Sequence, residues 1–104
     1  MYENWNKLTL FEQLGNAGSD YERAMRWRVK GQEKMFEDAL ARTLEQIDLT
    51  LVDSRWTGPK RREIARLREE VCSEMLERND LASAGRLQKY FLAFATVARQ
   101  RAGL

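Results

Sequence analysis

The sequence predicts an all-α fold, an up-down-up-down four-helix bundle forming a single helical-bundle domain over residues 1–104. Three observations predict it. Apolar residues recur at steps of three and four through long stretches, which keeps one face of a helix turned inward. Proline occurs once, at Pro59, and glycine six times, so few breakers interrupt those stretches. Alternating runs of β-branched residues, the mark of strands, are missing from the sequence.

Helix one is expected to start at Thr9, whose hydroxyl caps the chain while Glu12 reaches back three residues, a capping box. Its apolar line is Leu10, Leu14, Ala17, Tyr21 and Ala24, with Phe11, Met25 and Trp27 alongside. Lys30 and Gly31 supply a stop, a cation beside the last carbonyls and a glycine free to turn left-handed. Helix two is expected from about Gln32 to Leu51, with Phe36, Leu40, Thr43, Leu44, Ile47 and Leu51 at helical spacing. Leu49, Leu51 and Val52 crowd its end, which leaves two readings: burial all round, or a loosened chain before Asp53 and Ser54.

Helix three opens at Pro59, where the missing N–H costs nothing. Ile64, Leu67, Val71, Cys72, Met75 and Leu76 form its apolar face, and it is expected to end near Arg78. Asn79 and Asp80 read as a turn before a fourth helix whose inward face is Leu87, Tyr90, Phe91, Phe94, Val97 and Ala98. Three helices with a separate arm is the alternative arrangement.

Composition excludes several function classes. The 18 Lys and Arg residues against 16 Asp and Glu leave a formal charge of +2, without the concentrated basic excess of a dedicated nucleic-acid binder. Histidine is absent and Cys72 is the one cysteine, so a His-based triad, a zinc site of ordinary ligands and an internal disulfide are out. No cofactor or metal is therefore expected, and Cys72 reads as a small core hydrophobe. No stretch approaches the roughly 20 apolar residues a membrane span needs. The expected setting is cytoplasmic, without a membrane partner.

Three candidate surfaces remain. Trp5, Trp27 and Trp56 are more tryptophan than a core this size requires, and tryptophan is enriched at protein interfaces. Exposure of Trp5 or Trp56 would mark a contact surface for self-association or another protein. Arg61, Arg62 and Arg66 head the densest basic run, which also holds Lys60 and Arg68 and follows Arg55 and Trp56. That is a possible phosphate-backbone contact, although Glu63, Glu69 and Glu70 interleave as on a solvated, ion-paired face. Carboxylates three apart, Glu45 with Asp48 and Glu74 with Glu77, share helical faces. Their spacing resembles the paired acidic motifs of the all-α nucleotide pyrophosphatases, which hydrolyse nucleoside triphosphates with Mg²⁺. Here, however, the two motifs stand in reversed order.

The segments LTLFEQLGNAGSDYERAMRWR, ALARTLEQIDLTL, RLREEV and KYFLAFATVAR resemble a family of short, uncharacterised prokaryotic proteins across nearly the whole chain. The matching positions are Glu12, Gln13, Asn16, Gly18, Ser19, Glu22, Arg23, Trp27, Leu44, Asp48, Leu49, Arg66, Tyr90 and Phe91. The resemblance implies a folded helical domain and no particular activity. Asn16, Gly18 and Ser19 are poor helix formers in mid-helix, so packing or a site must require them. Close approach of another helix is one reading; a polar cleft of Asn16, Glu22, Arg23, Asp48 and Arg66 is the other. The reading that unites these points is a non-catalytic interaction or oligomerisation module. The alternatives are a nucleic-acid-associated helper and a Mg²⁺-dependent nucleotide hydrolase.

Overall fold

Thr9 accepts a hydrogen bond from the Glu12 amide at 3.1 Å and donates its own amide to the Glu12 carboxylate at 2.9 Å. This closed capping box starts helix α1 (Leu10–Val29). A single 3₁₀ turn at Trp5–Lys7 precedes it. At the other end Gly31 takes a φ of +73°. The Gln32 amide then bonds the Trp27 carbonyl and the Gly31 amide the Arg28 carbonyl, a Schellman stop that satisfies carbonyls the helix leaves open. These features come from a computed structural model that describes residues 4–78 together with Lys89 and Phe91.

Helix α2 (Glu33–Leu51) follows at once, and helix α3 (Pro59–Cys72) begins on the single proline. Of the two readings for the end of α2, loosening is correct: the helix stops at Leu51 and Val52 is 72% exposed. Beyond Cys72 the chain widens into a π-helical turn, Ser73–Arg78. The described residues contain helices and turns and no strand, so the fold is all-α. The expected fourth helix lies outside the described residues except for Lys89 and Phe91, both helical.

Cross-helix contacts fix the topology. Gln13 meets Asp53 while Asp20 meets Gln46 and Arg42, so rising numbers in α1 meet falling numbers beyond and within α2. Arg61 reaches the Leu51 carbonyl and Arg68 reaches Asp48, the same antiparallel register between α2 and α3. Leu14, Ala17, Tyr21 and Ala24 of α1, Ala39, Leu40 and Ile47 of α2, and Ile64, Leu67 and Val71 of α3 meet in one core with Met75 and Phe91. Each large apolar side chain so buried contributes about 1.5–3 kcal/mol. Every α1 residue of the predicted apolar line after Leu10 is buried, and Leu10 packs partly buried against the same cluster.

Gly18 shows why α1 carries a poor helix former at its centre. A β-carbon there would collide with Phe91 Cβ and lie 2.9 Å from its Cγ. Phe91 is 1% exposed and its ring tilts over Tyr21, centroids 5.4 Å apart. The close approach expected at this position is thus made within the chain.

Candidate interaction surface and buried polar hubs

The tryptophans come first because the sequence singles them out. Trp5 is 6% exposed, and its indole donates to Thr50 Oγ1 at 3.1 Å in the last turn of α2. Thr50 in turn donates to the Gln46 carbonyl. Trp5 therefore belongs to the interior, and the expectation that it marks a contact surface is corrected. A bulky ring near the start of α1 stabilises more as a plug over the ends of α1 and α2 than in water.

Trp56 is half-buried and donates to Gln13 Oε1 at 2.8 Å. The Gln13 amide donates to the Trp5 carbonyl and to Asp53 Oδ2, so one fully buried glutamine joins both tryptophans to one carboxylate. Asp53 also receives the guanidinium and the amide of Arg55. Arg55 continues to the Leu8 carbonyl and lies over the Trp56 ring at 4.6 Å, with Lys60 5.5 Å from the same ring. The Arg55 hydrogen bond holds the Asp53 carboxyl well below the usual carboxylate range against the upward push of burial, and Asp53 raises Arg55. This hub pins the N-terminal turn, the start of α1 and the α2–α3 connection together.

A second hub lies between α1 and α2. Asp20, 8% exposed, receives the Gln46 amide at 2.9 Å, Arg23 at 2.7 Å and Arg42 at 3.5 Å. A third sits under the π-helical turn, where Arg28 donates to the Glu74 carbonyl and approaches the Met75 sulfur beside fully buried Tyr21. Burial pushes the Tyr21 hydroxyl above its ordinary range, Arg28 opposing and Glu74 reinforcing the shift.

The anticipated polar cleft is not assembled. Asn16 is exposed, Glu22 is half-buried, Arg23 turns to Asp20, and Asp48 binds Arg68 on α3. Asp48 raises the Arg68 pKa through that bond. Arg66 is exposed on the outer side of α3. Among the described residues the buried polar ones are instead Gln13, Asp20, Thr43, Gln46, Thr50, Asp53 and Glu74. Sequence reasoning could have found Gln13, Asp20, Gln46 and Thr50, since they occupy inward positions of the helical period. Asp53 and Arg55 gave no periodic signal because they lie in a connection.

Of the basic run, Arg61 is engaged on the Leu51 carbonyl, while Arg62 and Arg66 are exposed and outside the ion pairs formed among the described residues. Of the paired carboxylates, Glu45 is exposed, Asp48 is held by Arg68, and Glu74 is buried. No group of three or more His, Cys, Asp or Glu residues placed to hold a metal occurs among the described residues. Cys72 is half-buried, with the Arg68 guanidinium 3.9 Å from its sulfur, rather than a fully buried hydrophobe.

Among the described residues, the large apolar side chains that stay exposed are Val29 at 66%, Met35 at 43% and Val52 at 72%. Val29 and Met35 flank the α1–α2 turn, where Trp27 is half-buried with Lys30 5.3 Å from its ring. No helix among the described residues is long and apolar enough to cross a membrane. No protein-family model, no curated protein and no solved structure matches this chain.

Proposed function

We propose that this chain is a non-catalytic interaction module that assembles with itself or with a protein partner through exposed apolar side chains. The observation that carries this reading is the exposure of Val29, Met35 and Val52 while Trp5 and Trp56 spend their indole donors inside the fold. Trp27, half-buried near the α1–α2 turn with Lys30 5.3 Å from its ring, is the tryptophan assigned to the contact surface. The proposed architecture is the up-down-up-down four-helix bundle. The seat of Phe91 on Gly18 and Tyr21, in helical conformation, supports a fourth helix packed on α1.

Light scattering in low and high salt tests the reading. An oligomer that persists in high salt and is weakened by Val29→Ser with Met35→Ser is the expected result. A monomer at every concentration and salt, with no protein ligand found, overturns it.

A second reading, a nucleic-acid-associated helper, is favoured by Arg62 and Arg66, exposed one turn apart and outside the described ion pairs. Binding to single-stranded RNA or DNA that weakens steeply with salt and is lost in Arg62→Ala with Arg66→Ala is its expected result.

A further inference from the structure

We propose that the outward face of α2 docks a basic amphipathic segment of another protein; this rests on the interaction-module reading and names the partner's chemistry. Met35, Asp38, Ala41, Glu45, Leu49 and Val52 succeed one another at steps of three or four. They form one stripe, turned away from the buried residues Leu40, Thr43 and Ile47.

A surface helix ordinarily turns polar residues outward. Here Met35, Ala41 and Val52 are exposed on that side, and Leu49 is half-buried and lies outside the core cluster. The acids of the stripe, Asp38 and Glu45, and their neighbour Glu37 are exposed and take no part in the ion pairs formed among the described residues. Asp48 of the same helix, by contrast, is neutralised by Arg68. At 1.5 Å per residue the stripe runs roughly 25 Å, the length of four to five helical turns.

Charge complementarity selects the occupant. Exposed Lys34 stands on the same side, so the face carries three acids, Glu37, Asp38 and Glu45, against one cation. Two such faces from two copies would set like net charges together, and a nucleic-acid backbone would meet the same repulsion. The α3 face of a second copy offers Arg62 and Arg66, but Glu63, Glu69 and Glu70 stand among them and α3 exposes no large apolar side chain among the described residues. A foreign segment with Lys or Arg beside Leu-like residues at helical spacing satisfies both requirements. Its cations meet Glu37, Asp38 and Glu45, and its apolar side chains cover Met35, Ala41 and Val52.

The test is fluorescence anisotropy of a labelled fourteen-residue Leu/Lys amphipathic peptide titrated with the full chain. A scrambled peptide of the same composition serves as comparison. The variant pairs Asp38→Lys with Glu45→Lys and Met35→Ser with Val52→Ser alter exposed positions, and circular dichroism verifies their fold. Each pair is expected to weaken binding about tenfold or more. Glu69→Lys with Glu70→Lys, the same charge change on α3, leaves binding intact. Equal binding by the scrambled peptide, indifference to the α2 variants, or no binding at all overturns the proposal. If the chain nevertheless self-associates through Val29 and Met35, or captures another protein ligand, the interaction-module reading survives that failure; if it stays a monomer throughout and no protein ligand is found, both fall.

Discussion

At the residue scale, single side chains decide whether a position is tolerant. Gly18→Ala would gain helix propensity of about 1 kcal/mol, yet the new methyl drives into Phe91 Cβ, which belongs to a buried ring with little room to retreat. The expected net result is a loss of about 1–3 kcal/mol in urea unfolding, typical of overpacking. Asp53→Ala removes one of the two acceptors of the buried Gln13 amide and releases Arg55, with an expected cost of about 1–3 kcal/mol. Asp53 also sets a pH dependence. Its folded pKa lies below the unfolded value of 3.8, so its stabilisation is full above roughly pH 5 and fades as pH falls through 4 and below. Tyr21 acts at the other extreme: its folded pKa lies above the ordinary 10.0, so stability falls as pH rises past about 10. Acid unfolding of Asp53→Asn against the parent, and alkaline unfolding of Tyr21→Phe, check the two signs; each variant should flatten its own limb.

At the scale of elements, the ends of α1 were legible because capping is local chemistry. Thr9 and Glu12 are three apart, and Lys30–Gly31 follows the last periodic residue, so both boundaries could be placed without knowing the fold. Thr9→Ala is expected to cost about 0.5–2 kcal/mol in thermal or urea unfolding, because it orphans the Glu12 amide. Helix α3 begins on Pro59 as expected, but its conversion to a π-helical turn at Ser73 left no trace in composition. The end of α2 falls at Leu51, where the period placed it, but whether the chain there stays buried was not legible, since Leu49, Leu51 and Val52 are alike in type and only the surrounding chain separates the half-buried Leu51 from the exposed Val52.

At the scale of the whole molecule, polar side chains act as fasteners between helices. Gln13 and Asp53 tie the N-terminal turn to the α2–α3 connection, and Asp20 with Gln46 ties α1 to α2. Replacing Trp5 by Ala empties a buried site beside Thr50 and is expected to destabilise by about 3–5 kcal/mol. Its fluorescence should report the same thing: in Trp27→Phe with Trp56→Phe, the remaining Trp5 should emit as a buried indole and resist aqueous quenchers. An emission maximum like that of free tryptophan would contradict the interior placement.

The all-α class, the placement of the three described helices along the chain, the inward face of each and the caps that bound α1 were already legible in the residues. These follow from periodicity and from bonds three or four residues apart, which any chain with this sequence would form. The roles of Trp5, Asp20, Asp48 and Asp53, by contrast, emerge from the packed fold. Each is satisfied by a residue at least twenty positions away or in a loop without period: Trp5 by Thr50, Asp20 by Gln46, Asp48 by Arg68, and Asp53 by Gln13. A polar residue at a helix surface looks the same in sequence whether water or another helix completes its hydrogen bonds. The choice is made when the helices meet, and it placed Trp5 and its partners in the interior while leaving the outer face of α2 open.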